Sequence, residues 1–480
     1  MNSWSAKPSA IALCVASCGF VLASCAPDLG PPPVIATVTQ FETSKSLPAS
    51  NQPWPADTWW RAFGDPQLDQ LIFEAVANSP KMSEAVARIE LAKAQAINAR
   101  AALLPNVGAT ATARYSRISE NIGLPSNGDF NWLGAALVTG SFEIDFWGKN
   151  RAGLEAATSQ AVAAKADAAA AQLMLASQVA SAYVDFARLQ VMRNLAADAV
   201  RMRKETRDLA ALRLQAGTGQ RQAVDQADSA VEAATAQLRS VDESIELSRH
   251  MIAALLGAGP DRGSRIGRPT LMKRRNPGLP KSLPLELVGR KPELVAARWR
   301  AEAAAQHIHQ AAAAYYPNVN LMAVAGVVSM GLDKLFQDKS GLVSAGPAIS
   351  LPIFDPGRLE AGYRGARAEY DLAVASYRDV LLQSLQATAD AVTSLKALRG
   401  RSQAANAAEA KAQNAYDLTK LRYKGGLADY DSVLLTENAL IAAREEAATL
   451  RLRGFQLDIA LARALGGGFS GTLPTERTPS

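Results

Sequence analysis

Cysteine and histidine are almost absent from this chain of 480 residues, with three of each. All three cysteines lie within the first 25 residues, so the remainder holds no pair for a disulfide or a CxxC site. His307 and His309 stand two apart on an expected helix and point to different sides, whereas a helical metal pair sits at i, i+4. Aromatic residues make up only 6% although 48% of the chain is hydrophobic, because much of the apolar content is alanine, as in the run from Ala168 to Ala171. Side chains bulky enough to fill a large globular core are therefore scarce, which disfavours a roughly spherical enzyme. Small residues let helices approach closely, so the composition suits long helices packed side by side as a thin wall. Charge of one sign is also missing. The 51 basic and 45 acidic residues leave a net charge of +6, a mixed solvated surface without the footprint of a nucleic-acid binder. Lys273-Arg274-Arg275 lies in a proline-rich connection and reads as a solvated loop.

Catalytic motifs are missing as well. There is no GxSxG and no P-loop, and carboxylates such as Glu445, Glu446 and Asp208 fall on exposed helix faces without forming a pair. The run Gly466-Gly467-Gly468-Phe469-Ser470-Gly471 satisfies GxGxxG, but no strand precedes it, so it reads as a helix stop. No enzyme is indicated, and no catalytic or metal-ligating residue is expected.

One apolar run stands out. Lys7 precedes residues 10–22, a stretch with the length of a signal-peptide core and too short to span a bilayer. It ends in Leu22-Ala23-Ser24-Cys25, which resembles the bacterial lipobox, where a diacylglyceryl group is joined to the cysteine thiol before cleavage in front of it. Val15-Ala16-Ser17-Cys18 fits a looser lipobox, but cleavage there would leave too short an apolar core. Residues 1–24 are thus expected to be removed, with Cys25 the lipidated first residue and no cofactor expected beyond that covalent lipid. Residue 26 is alanine and not the aspartate that retains lipoproteins at the inner membrane, so the resemblance implies an outer-membrane destination. Loss of Lys7 changes the side-chain balance to 6 − 1 = +5. Residues 25–55, rich in proline, read as an extended tether.

The remainder is one unit written twice. Gly148-Lys149 and Gly153 recur as Gly357-Arg358 and Gly362, Leu212-Arg213 and Gly217 as Leu421-Arg422 and Gly426, and Leu256-Gly257 as Leu465-Gly466, all 209 residues apart. Leu104-Pro105-Asn106 recurs as Tyr316-Pro317-Asn318 at 212. Chance similarity does not hold one register over such a distance, and the period is too long for a solenoid. The expected repeats are 56–258 and 284–466, joined by a linker at 259–283 and followed by a flexible tail at 467–480.

Each repeat has the same internal order. A helical stretch (67–103; 284–315) carries apolar residues at helical spacing, such as Leu68, Leu71, Ile72, Ala75 and Val76. Strand-like segments follow, 106–118 and 132–146 in the first repeat, 318–329 and 342–353 in the second. Val107, Ala109, Ala111, Ala113 and Tyr115 alternate with Thr110, Thr112, Arg114 and Ser116, and Val343, Ala345, Ile349, Leu351 and Ile353 with Ser344, Gly346 and Ser350. Each repeat then runs as uninterrupted helix over 149–215 or 358–424, on the order of 100 Å at 1.5 Å per residue. A glycine-containing turn and a return helix (221–256; 429–465) complete it.

Strands of this length and alternation suit a transmembrane β-structure, but four cannot close a barrel. An open sheet in lipid leaves two unsatisfied edges, so the chain must complete the barrel with copies of itself. Two copies give eight strands, normally filled by side chains; three give twelve and leave room for a lumen, which a conducting duct favours. The fold class expected is thus mainly α with a β-barrel part. A periplasmic helical scaffold without a pore is the alternative if the strand segments are discounted.

Trp59-Trp60, Phe63, Asp65-Pro66, Leu68 and Leu71, with Leu104-Pro105-Asn106, Asp145-Phe146-Trp147-Gly148 and Leu421-Arg422-Tyr423-Lys424-Gly425-Gly426, resemble the signatures of the TolC-like outer membrane factor family, in its OprM/NodT lipoprotein branch. The resemblance extends from about Trp54 to Gly466. It implies a homotrimer with a twelve-stranded outer-membrane barrel and a long α-helical periplasmic barrel. It also implies docking to a periplasmic adaptor and an inner-membrane pump, so that drugs or other solutes leave the cell through a passive duct; service in protein or polysaccharide secretion is the other use of such a duct. The turns between the long helices would form the periplasmic aperture and dock the adaptor, through Gly217, Arg221, Gly425 and Gly426. Tyr423 matches a tyrosine of the polar network that holds relatives shut, whereas the arginine expected two residues after the turn glycine is Ala428. The lumen-facing aspartate expected nine residues after that glycine is Leu435, with Asp431 one helical turn earlier. Asp431, tripled by symmetry, is therefore a candidate acidic constriction beside a ring of Leu435, and Tyr423, Asp429, Asp431 and Leu435 are the expected aperture residues. Asp429 and Asp431 equally suit the N-terminus of a helix, whose dipole stabilises carboxylates.

Overall fold

The computed structural model describes residues 28–37, 40–43, 45–47, 53–117, 119, 130–271, 280, 283–352 and 356–471. Cys25 and the expected signal segment lie outside them, as does Lys273-Arg274-Arg275. The described helices and strands, in chain order, are α1 (Pro66–Asn78), α2 (Pro80–Ala101), β1 (Asn106–Arg117), β2 (Phe130–Ile144), α3 (Lys149–Gln215), α4 (Arg221–Leu255), α5 (Leu283–Arg290), α6 (Pro292–Ala313), β3 (Asn318–Met330), β4 (Gly341–Ser350), α7 (Pro356–Lys424) and α8 (Tyr430–Ala464). Helix α3 has 67 residues and α7 69, while α4 and α8 have 35 each, so the duplication read from glycine spacings is one of structure. Among the described residues no helix is long and apolar enough to cross a membrane.

The expected first helix of each repeat is two helices. Pro80 has no N–H to give and its ring clashes with the preceding turn, so α1 ends at Asn78 and α2 starts beyond Ser79. Pro292 breaks the second copy at Lys291 in the same way. The second strand ends at Ile144, not at 146, because Asp145 leaves the ladder to cap α3 through the amides of Asn150 (3.1 Å) and Arg151 (2.9 Å). The fourth ends at Ser350, not at 353: its partner strand starts at Asn318, opposite Ser350, so Leu351 has nothing to pair with.

The chain divides into two compact units. One comprises 1–35, 88–164 and 297–377 and contains a four-stranded antiparallel sheet in the order β1-β2-β3-β4. The register aligns Tyr115 with Trp132, Ala109 with Val138, Val138 with Ala325, and Ala325 with Val343. Since side chains alternate faces, this places Val107, Tyr115, Trp132, Val138, Leu321, Val343 and Ile349 on one face, all of them exposed. Among the described residues β1 and β4 are each paired on one side only. Trp147 stacks on Tyr316 (4.5 Å) and donates its indole N–H to the Pro317 carbonyl (2.8 Å), which ties the exit of β2 to the entry of β3.

The other unit, 36–87, 165–296 and 378–480, has a bulky core that the alanine-rich composition does not suggest. Its aromatic side chains cluster with aliphatic ones: Trp59, Trp60 and Phe63 pack with Leu68, Leu71, Tyr183, Phe186, Ile252 and Phe455. Asp65 caps α1 through the Gln67 amide (2.9 Å) and accepts hydrogen bonds from the Tyr183 hydroxyl (2.8 Å) and the Thr270 amide (2.7 Å). Burial and that bond to Asp65 push the Tyr183 phenol far above its ordinary range. The expected linker is accordingly ordered at its start, where Arg262 grips Glu74 through Nε and Nη2 and Ile266 is buried. The expected flexible tail also starts as packed chain. Gly466 and Gly468 adopt left-handed backbone, and a Cβ there would strike the Arg290 carbonyl and the backbone of Asp57. The GxGxxG run is thus a helix stop wedged against neighbouring backbone, and Phe469 packs on Val295 and Ala296.

Candidate functional site

The two turns between long helices lie in the second unit and share one chemistry. Gly217 (φ 69°) and Gly426 (φ 77°) each take left-handed backbone, which lets Thr218 N–H bond to Arg213 O (3.0 Å) and Leu427 N–H to Arg422 O (2.8 Å). Gly425 is exposed between them, with ordinary backbone sign. Arg221 opens α4 and is exposed, its Nε donating to Asp225 at 3.1 Å.

The second turn places three of the four expected aperture residues around one concavity of about 880 Å³: Tyr423, Asp429 and Asp431 line it, together with Arg213, Gly426 and Tyr430. Leu435 is not among its lining and is exposed on α8. Asp429 caps α8 by accepting the Ser432 amide (2.8 Å), and its bonds from Ser432 hold its carboxyl below the usual range. Asp429 is therefore committed to a helix terminus, while Asp431, in the first turn, is exposed and lines the concavity.

Tyr423 is buried, which pushes its phenol up, opposed by the nearby Arg213 charge. That arginine is the residue the sequence reading missed. Its guanidinium lies 4.6 Å from the Tyr423 ring centroid, and Nη1 donates to the carbonyls of Tyr423 (2.9 Å) and Ala428 (3.5 Å). Nη2 donates to the Thr218 carbonyl (3.3 Å), so one side chain from the first repeat closes over both turns. An arginine from α3 thus meets the backbone carbonyl of Ala428, the position at which the resemblance implies an arginine. Its signal was present in the sequence, since Leu212-Arg213 repeats Leu421-Arg422.

Ten residues before Arg213, a second contact joins the same repeats. Arg203 donates to the Ala230 carbonyl (2.9 Å) and to Asn438 Oδ1 (2.8 Å). Its Nε lies 3.8 Å from Glu437 Oε1, too far for a hydrogen bond, and both atoms are buried without a partner. Glu437 is 1% exposed, and burial raises its pKa against the opposing charge of Arg203. Burial, and then Glu437, push Tyr430 up to about 12. Lys420 donates to Glu205 at 2.8 Å; that bond holds the Glu205 carboxyl below its usual range.

Among the described residues no group of three or more His, Cys, Asp or Glu side chains is placed to hold a metal ion. His307 Nδ1 lies 3.2 Å from Gln310 Oε1, a local helix contact.

The arrangement is one of surfaces and turns: an apolar sheet face with two free edges, and a pair of turns tied by one arginine. Comparison with known proteins matches this. The family model described as outer membrane efflux protein matches residues 71–258 and 283–467, the two repeats. The fusaric acid resistance protein FusA of Burkholderia cepacia is 36% identical over 375 residues, 76% of this chain and 70% of that protein. The pyoverdine export outer membrane protein OpmQ of Pseudomonas aeruginosa is 30% identical over 417 residues, 86% of this chain and 87% of its own. Among solved structures, the outer membrane protein VceC of Vibrio cholerae superposes with a TM-score of 0.81 at 39% identity, covering 87% of this chain and all of that one.

Proposed function

The chain belongs to the outer membrane efflux protein family, and from that premise we propose that it is the lipid-anchored exit duct of a tripartite efflux system. It works as a homotrimer that conducts small solutes passively from a periplasmic adaptor and an inner-membrane pump to the outside. The observation that carries this is the sheet: an apolar face with exposed Val107, Tyr115, Trp132, Val138, Leu321, Val343 and Ile349, bounded by unpaired edges at β1 and β4. An exposed apolar surface of this extent belongs in lipid, and in lipid free edges cost several kcal/mol per unsatisfied group. Pairing β4 of one copy with β1 of the next removes both edges, and three copies give twelve strands and a lumen.

The helix turns form the periplasmic aperture. Arg213 holds the closed arrangement by pinning the second turn to the first, and Asp431, three to the ring, sets an acidic constriction, with Leu435 adding an apolar rim beside it. Gly217, Arg221, Gly425 and Gly426 present the outer surface of the turns to the adaptor. Cys25 carries the lipid. The named relatives are a fusaric acid resistance protein and a pyoverdine export protein, which supports small organic molecules as the class conducted here; no nucleic acid is involved. The test is assembly in detergent followed by recording in planar bilayers. A trimer with discrete conductance steps is expected, and a monomer without conductance refutes the reading.

A further inference from the structure

The proline-rich segment ahead of the folded body is held, and what holds it lies on α7. Arg367 Nη1 donates to the Gly30 carbonyl (3.1 Å) and Nη2 to the Pro31 carbonyl (2.6 Å). One helical turn later Tyr370 donates its hydroxyl to the Pro33 carbonyl (3.1 Å). Asp371 accepts Arg367 Nε (3.1 Å) and so orients the fork, and the Arg367 side chain is only 13% exposed. On the other side, Asp28 accepts the Gly30 amide (2.9 Å) and Gly30 takes left-handed backbone (φ 72°). The segment is Gly30-Pro31-Pro32-Pro33. Prolines have no N–H, so from Pro31 to Pro33 the carbonyls are the only backbone hydrogen-bonding groups. Arg367 and Tyr370, three apart on one helix face, both donate to those carbonyls.

The position of this contact has a consequence for length. Arg367 is eleven residues into α7, about 16 Å along the helix from its start on the sheet side. Cys25 precedes Gly30 by five residues, a reach of at most about 17 Å. The two lengths match. We propose that Arg367, Tyr370 and Asp371 form a clamp for the chain's own proline-rich segment, which shortens the tether so that Cys25 is held at the end of the sheet where β4 leaves it. The clamp thereby fixes the height at which the acyl chains enter the bilayer. This rests on the reading of Cys25 as lipidated; the grip on residues 30–33 does not.

The test uses the full lipoprotein with a nitroxide on Val34→Cys, a site 85% exposed, where the new thiol is the only free one once Cys25 carries its lipid. A motionally restricted spectrum is expected in the parent, narrowing to that of a free chain in Arg367→Ala/Tyr370→Phe and lying between the two in Arg367→Lys/Tyr370→Phe. Identical spectra in the parent and in Arg367→Ala/Tyr370→Phe overturn the clamp. The second arm removes Pro27 alone, which keeps Ala26 behind the cysteine and Asp28 on the Gly30 amide but shortens the leash by about 3.5 Å. Loss of assembled channel from the outer membrane is expected with the clamp intact, and recovery when Arg367→Ala/Tyr370→Phe is added. Absence of either the loss or the recovery overturns the setting of anchor height. The mass of the N-terminal peptide decides lipidation separately, so a missing lipid is not mistaken for a missing clamp.

Discussion

Arg213→Ala is the perturbation that tests the aperture most directly. The guanidinium makes one good charge-assisted bond, to the Tyr423 carbonyl at 2.9 Å, and a longer one to Thr218 at 3.3 Å. Hydrogen bonds from charged groups contribute about 1.5–3 kcal/mol each, and a guanidinium over an aromatic face about 0.5–2 kcal/mol. These do not add in full, because the side chain is half-exposed and the freed carbonyls regain water, so a net loss of about 2–3 kcal/mol is reasonable. If the contact exists only in the closed turn arrangement, the closed-to-open ratio falls by about 30- to 150-fold. Planar-bilayer recording reads this as a rise in open probability at unchanged full-open conductance. Arg213→Lys, which keeps the charge but loses the fork, should fall between the alanine variant and the parent. An open probability in Arg213→Ala equal to that of the parent would refute the argument, because the turns would then be held shut by something other than this side chain.

Other consequences are sharper in sign than in size. Asp431→Ala should reduce cation selectivity, whereas unchanged conductance and ion selectivity would leave Asp431 with a helix-terminal role only. Glu437 has a raised folded-state pKa, so its contribution to stability is fully present below the unfolded carboxylate range and is lost as pH rises through the folded value. Amide exchange around Thr206 and Asn438 should therefore speed up as pH is raised through that window, after correction for intrinsic exchange, and Glu437→Gln should abolish the dependence. On the sheet, Val343→Arg puts a charge on the apolar face, at a cost of about 2–4 kcal/mol near a bilayer midplane. Ser344→Arg puts it on the opposite face. Trimer yield from membranes should drop for the first and hold for the second, and equal losses would argue against a lipid-facing role.

What the sequence disclosed followed from periodicity, and what it hid followed from tertiary choice. The duplication, the four strands and the long helices each rest on a pattern that local backbone physics imposes, namely alternation, glycine at a left-handed turn and helix without proline. Pro80 and Pro292 carried the same kind of signal, and the helices do stop there. The core was harder to see, because 6% aromatics averaged over the chain implies thin packing, whereas Trp59, Trp60, Phe63, Tyr183, Phe186 and Phe455 all converge in one unit. Composition has no address. The Arg213 contact was hidden for a related reason: a motif compares one position with its counterpart, and Ala428 reads as a loss when only position 428 is considered. The turn needs a donor for its carbonyls and a cation on its tyrosine, and a duplicated fold brings two turns together. Either repeat can then supply the group, so the requirement is kept while the residue that meets it moves by half the molecule.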